Sequence, residues 1–192
     1  MKKLKGIENR VYNLLLLYGA NIEKDVFSYG FITFLNYFVY LISIIPIAIA
    51  FNLIDKVIFF LIVFIPLRRY IGGFHFNSKL LCLIFSIIFT LSIPLLAIPL
   101  GKINIIIRAC SLILGMIITC WIKAVDHPNK RISKKEKQLF TKRAILIELL
   151  YSMIILCFYN TSVYIYLNIT YLTLLFCILG ITIARVLEIR YN

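Results

Sequence analysis

Acidic residues are scarce in this chain: Asp and Glu together number 8, against 21 Lys and Arg, in 192 residues. Charge of either sign is thin at 15%, where soluble domains carry about 25%. Hydrophobic residues make up 62%. A chain so poor in charge cannot cover a folded core with a water-facing shell. That excludes a soluble protein and leaves an integral membrane protein, read here as one domain over residues 1–192. There are only two histidines, and neither Cys-x-x-Cys nor His-Glu-x-x-His occurs, so no metal site is expected. Gly-x-Ser-x-Gly is missing, as is a phosphate-cradling glycine loop followed by Lys-Ser/Thr. Serine-hydrolase and nucleotide-binding readings fall with them, and no cofactor is expected.

What the chain has is long apolar runs with basic punctuation. Residues 1–21 open on Lys2, Lys3 and Lys5, yet Glu8, Asn9, Arg10 and Asn13 interrupt the apolar stretch. Leu4, Ile7, Val11, Leu14, Leu15 and Tyr18 recur at three- and four-residue steps, which predicts a retained amphipathic helix lying in the membrane interface, not a signal peptide. Spanning helices are expected over Phe27 to Ala50, Val57 to Leu67, Leu80 to Leu100, Ile105 to Ile122, Ala144 to Tyr159 and Val163 to Ala184. A span needs about 20 residues, so Val57 to Leu67 crosses only where the bilayer thins, flanking residues lengthen the helix, or the next loop dips inward.

The reading is therefore all-α and polytopic, with about six transmembrane helices after the interfacial helix. With both termini cytoplasmic, all but three of the Lys and Arg fall in inward segments; the exceptions are Lys56, Lys102 and Arg108. That positive-inside bias fixes the orientation. Arg108, inside the fourth span, is expected to snorkel outward, with an intersubunit contact as the other reading. Glu148 sits one turn into the fifth span, toward the opposite face. The net charge of +13 has no independent polar fold to carry it, so nucleic acid is not a partner; anionic lipid or an acidic substrate is.

Cys110, Cys120, Cys157 and Cys177 lie inside apolar runs and read as small buried hydrophobes. Cys82 differs. It ends the polar, basic, glycine-bearing stretch 68–82, which also holds His75. On one straight helix, seven positions are about 10.5 Å of rise, too far for proton transfer. Asn77 and Ser78 are good N-caps, so a helix starting there puts Cys82 in its opening turns. Gly72 and Gly73 would let the loop fold His75 back toward the sulfur. A helix N-terminus and an imidazole both favour thiolate. Spacing alone still leaves open that the two residues are unrelated.

The pattern Arg68-Arg69-Tyr70-x-Gly72-Gly73-x-His75-x6-Cys82 resembles the active-site signature of the accessory gene regulator B family. These are multi-pass bacterial cysteine endopeptidases that process quorum-sensing propeptides. Ala124-Val125-Asp126-His127-Pro128-Asn129-Lys130 is similar to a second family segment, with Val125 and Arg131 standing where prolines are usual. The resemblance implies a cell-membrane protease with its site at the cytoplasmic face. Cys82 would attack a small propeptide while His75 takes its proton, giving an acyl-enzyme thioester. A cysteine of the substrate would then close a thiolactone. The implied partner is a propeptide with an amphipathic leader, an internal cysteine and an acidic C-terminal tail, and the enzyme is taken as a homodimer.

Arg68 is expected to clamp the acidic tail and Arg69 either to assist or to anchor. Tyr70 is read as interfacial packing and Gly73 as a backbone requirement of the loop. The segment Lys123 to Arg143, with eight basic and two acidic residues, faces anionic lipid, or captures the tail through Asn129, Lys130 and Arg131. Asp126 is read as a loop cap more than a partner of His75, and His127 as a lesser alternative base. The rival class is a non-enzymatic transporter or peptide exporter. It lacks the support of an internal repeat, although Pro46, Pro94 and Pro99 leave room for broken helices.

Overall fold

The computed structural model describes residues 2–72, 79–123 and 133–191. Among the described residues there are seven α-helices and no strand: α1 (Lys2–Leu17), α2 (Lys24–Ala50), α3 (Ile54–Ile71), α4 (Lys79–Ala97), α5 (Ile105–Ile122), α6 (Lys134–Cys157) and α7 (Tyr164–Tyr191). Four stretches are long and apolar enough to cross a membrane: Lys24–Ala50, Leu80–Ala97, Ile105–Ile122 and Tyr164–Val186. The remaining expected spans, in α3 and α6, carry more charge. Asp55, Lys56, Arg68 and Arg69 occupy the ends of α3, while Lys142, Arg143 and Glu148 lie in α6.

The short run Val57 to Leu67 finds its length by extension at both ends, giving an 18-residue helix. Asp55 and Lys56 thus belong to its first turn and Arg68 to Ile71 to its last, with Gly72 capping it. The basic segment 123–143 is also more ordered than expected, because α6 begins at Lys134. Ser133 accepts from the Glu136 amide at 3.3 Å and Glu136 accepts from the Ser133 amide at 2.9 Å. This capping box satisfies two otherwise orphaned donors and starts the helix ten residues before the apolar run.

Backbone contacts divide the chain into two compact units, residues 1–47 and 48–192. In the first, α1 returns onto the start of α2. The Tyr12 ring lies 5.2 Å from that of Phe27, the Tyr12 hydroxyl donates to the Ile22 carbonyl at 3.0 Å, and the Ser28 hydroxyl donates to the Glu8 carboxylate.

In the second unit α7 is the hub, packing on α3, α4, α5 and α6. It buries 61% of its membrane-length window, against 22% for α4 and for α5, which makes α7 the core and leaves those two a broad apolar outer surface. Leu67, Ile71, Leu112, Ala144 and Ile155 cluster with its Leu174 and Ile181. Toward α4 the packing is aromatic: Phe89 sits 5.7 Å from Phe60, 5.5 Å from Phe64 and 5.4 Å from Phe176, centroid to centroid. Buried Thr170 and Thr173 donate back to the Tyr166 and Ile169 carbonyls at 3.0 and 2.7 Å, so their hydroxyls are satisfied within α7. Gly115 lets α5 approach closely: a side-chain carbon there would meet Ile178 Cδ1 at 2.4 Å.

Candidate active site

Cys82 is the fourth residue of α4, in its first turn, and is half-buried. Its carbonyl accepts the Ser86 hydroxyl at 2.8 Å, so the turn bearing the sulfur is stitched to the next. His75, Gly73 and the N-cap candidates Asn77 and Ser78 lie outside the described residues, as do Asn129, Lys130, Arg131, Asp126 and His127.

The other cysteines divide in a way the apolar runs do not reveal. Only Cys177 is buried; Cys110, Cys120 and Cys157 are exposed on the outer faces of their helices. The expectation that all four are core hydrophobes is thus corrected. A small apolar side chain can face lipid as readily as core. Among the described cysteines, Cys82 is the one in a helix's first turn.

Arg68 is half-buried in the last turn of α3, and its Nη1 donates to the Gly72 carbonyl at 2.6 Å. The Gly72 amide closes the helix by donating to the Arg68 carbonyl at 3.1 Å. With φ +76° and ψ −145°, Gly72 occupies a conformation that side chains strongly disfavour. The glycine therefore turns the chain out of the helix and presents the carbonyl that holds the guanidinium. Across from it, Gly180 of α7 would put a side-chain carbon 3.8 Å from Arg68 Nη1. Arg69 is exposed.

Tyr70 joins this end of α3 to the basic segment. Its ring meets Phe140 edge-on at 5.8 Å, and the Arg143 guanidinium lies 5.6 Å from its centroid. The start of α6 and the end of α3 are thereby neighbours, so the helical part of the basic segment borders Tyr70. Sequence reasoning did not find this contact. The readable clue was Ser133-Lys134-Lys135-Glu136, a capping-box spacing that moves Phe140 and Arg143 onto a helix.

Two polar side chains of the interior are buried, one of them against expectation. Glu148 is 1% exposed, and its Oε1 accepts the Thr119 hydroxyl at 2.8 Å. Arg108 is 1% exposed and does not snorkel. Its Nη2 donates to Asn168 Oδ1, and Asn168 Nδ2 donates to the carbonyls of Ala97 at 3.1 Å and Gly101 at 2.9 Å. The Arg108–Asn168 pair thus ties α5 and α7 to the far end of α4, the helix whose first turn holds Cys82. Asn168, an amide in the middle of an apolar run, was the legible sign.

A helical bundle with membrane-length apolar segments, a half-buried cysteine opening one of them and arginines closing the helix before it, is a multi-pass α-helical membrane protein. The family model described as Accessory gene regulator B matches residues 8–183, and the chain belongs to that family. It is 27% identical over 153 residues to an AgrB-like protein, the second so numbered, of Clostridium perfringens strain 13, covering 74% of this chain and 72% of that one. It is 28% identical over 151 residues to an AgrB-like protein of Clostridium perfringens strain SM101, covering 73% and 71%. No solved structure matches.

Proposed function

We propose that the chain is a membrane cysteine endopeptidase that removes the acidic C-terminal part of a signalling propeptide and promotes thiolactone cyclisation for quorum sensing. The observation that carries this reading is the half-buried Cys82 in the first turn of α4, one short segment after Arg68 and Gly72.

In the proposed reaction His75 takes the Cys82 thiol proton as the sulfur attacks the scissile carbonyl. The C–N bond breaks, the leaving amine takes the proton from the imidazolium, and a thioester joins Cys82 to the leader fragment. A substrate cysteine then attacks that thioester, passing its proton through His75 to the departing Cys82 thiolate. One thioester replaces another, so the exchange is nearly balanced and water must be kept out. Gly73 shapes the loop carrying His75. Arg68 grips the acidic tail, with Arg69, Asn129, Lys130 and Arg131 drawing it in. The guanidinium suits this because it can pair both oxygens of a carboxylate.

In this reading six helices span the bacterial cell membrane, both termini and the site face the cytoplasm, basic residues meet anionic lipid, and the enzyme works as a homodimer. No metal or cofactor is required. Co-expression with the propeptide tests the assignment. Cys82→Ser and His75→Ala abolish cleavage, while the outward-facing Cys110→Ser leaves it intact. Cleavage surviving all three would instead favour a transporter or peptide exporter.

A further inference from the structure

A carboxyl taken out of water can shed its charge by accepting a proton, but a guanidinium remains protonated at any accessible pH. Arg108 is therefore a fixed positive charge, 1% exposed, in a helix of membrane-crossing length. Its Cζ lies 5.4 Å from the Tyr171 ring centroid and 5.9 Å from that of Tyr159. Those ring faces attract a cation, and Asn168 accepts from Nη2, but none of the three carries a negative charge. Nε and Nη1 are buried with no hydrogen-bond partner among the described residues. Among the described residues no carboxylate pairs with Arg108. Asp55, at the same end of the bundle, is held by Lys56 at 3.1 Å and by the Tyr166 hydroxyl at 2.8 Å.

We propose that Arg108 is the floor of a binding site for one small monovalent anion, a halide or a carboxylate. The anion completes the charge balance and uses the donors that the protein leaves free. Tyr171 forms a fixed wall, because its hydroxyl is engaged with Ser111 Oγ at 2.8 Å. Tyr159 is the movable side: it lies beyond the end of α6, in the turn before α7, and is only partly buried. Entry is from that turn, with the Tyr159 ring swinging away from the guanidinium. Asn168 holds Arg108 in register while its amide grips the carbonyls at the end of α4, so the occupied site fastens α4, α5 and α7 together.

Thermal unfolding of the full chain in zwitterionic lipid nanodiscs tests this, with sodium chloride replacing sodium sulfate at constant ionic strength. A ligand that binds only the folded state raises the midpoint saturably. The general salt effect runs the other way, since sulfate stabilises by exclusion from protein surfaces, so a rise with chloride is diagnostic. A parallel arm with sodium acetate separates the sources. A response to both marks a site for free anions, and a response to acetate alone marks a carboxylate site such as a peptide end. In Arg108→Gln the rise disappears. Should that variant not fold, Tyr159→Ala is used instead, and the concentration giving half the effect shifts by at least threefold. A wild-type midpoint that does not rise with either anion, a rise that persists in Arg108→Gln, or an unshifted Tyr159→Ala overturns the proposal.

Discussion

Arg68 and Asp55 show how single side chains are held at the two ends of α3. The Arg68 guanidinium rests on the Gly72 carbonyl, and a lysine there keeps the charge but loses the flat, two-pronged donor set. Arg68→Lys is expected to raise KM for propeptide cleavage about tenfold, equivalent to about 1.4 kcal/mol, with kcat changing less. Substrate titration of the purified enzyme measures this. At Asp55, the Tyr166 hydroxyl first and Lys56 second hold the carboxyl below its ordinary range. Because the folded-state pKa is depressed, the contribution to stability is present above the ordinary carboxylate value near 4 and is lost as pH falls through the lowered folded value. Tyr166→Phe should flatten that acid limb in unfolding curves followed against pH. Residue orientation was the least legible level. In a membrane bundle an outward face is as apolar as an inward one, so Cys177 in the core and Cys110, Cys120 and Cys157 on the outside sit in indistinguishable sequence surroundings.

At the scale of elements, the apolar runs located the helices well. The run Ile105 to Ile122 coincides with α5, the first run lies inside α2, and the last starts one residue before α7. Ends were harder, because hydropathy falls off at charged residues while the helix continues until its backbone is capped. At the start of α6 the cap is the Ser133–Glu136 box. Ser133→Ala should cost about 1 kcal/mol locally, seen as roughly fivefold faster amide exchange in the first turn of α6. Between helices, Gly115 sets the approach of α5 to α7. Gly115→Leu is expected to destabilise by about 1–3 kcal/mol in detergent unfolding, and Gly115→Ala by less, since the Ile178 methyl it meets can turn aside.

For the whole molecule, the order of packing around α7 had no sequence signature. All the spans are apolar, so nothing in their composition names α7 as the hub. Nor could sequence show that Arg108 on α5 would meet Asn168 on α7 and, through it, the end of α4. The six-span arrangement proposed above makes a plain prediction in a background lacking the native cysteines. A cysteine at Lys102 reacts with a membrane-impermeant maleimide in intact cells, and one at Lys135 reacts only after permeabilisation. The opposite labelling would reverse the orientation and put the proposed site on the wrong side.

The proposal as a whole depends on His75 acting on Cys82. The most direct measurement is the rate of Cys82 alkylation by iodoacetamide at neutral pH in lipid, with the other four cysteines replaced. An imidazole within proton-transfer reach should make that rate fall at least tenfold in His75→Ala, and a rate indifferent to His75 would contradict the account.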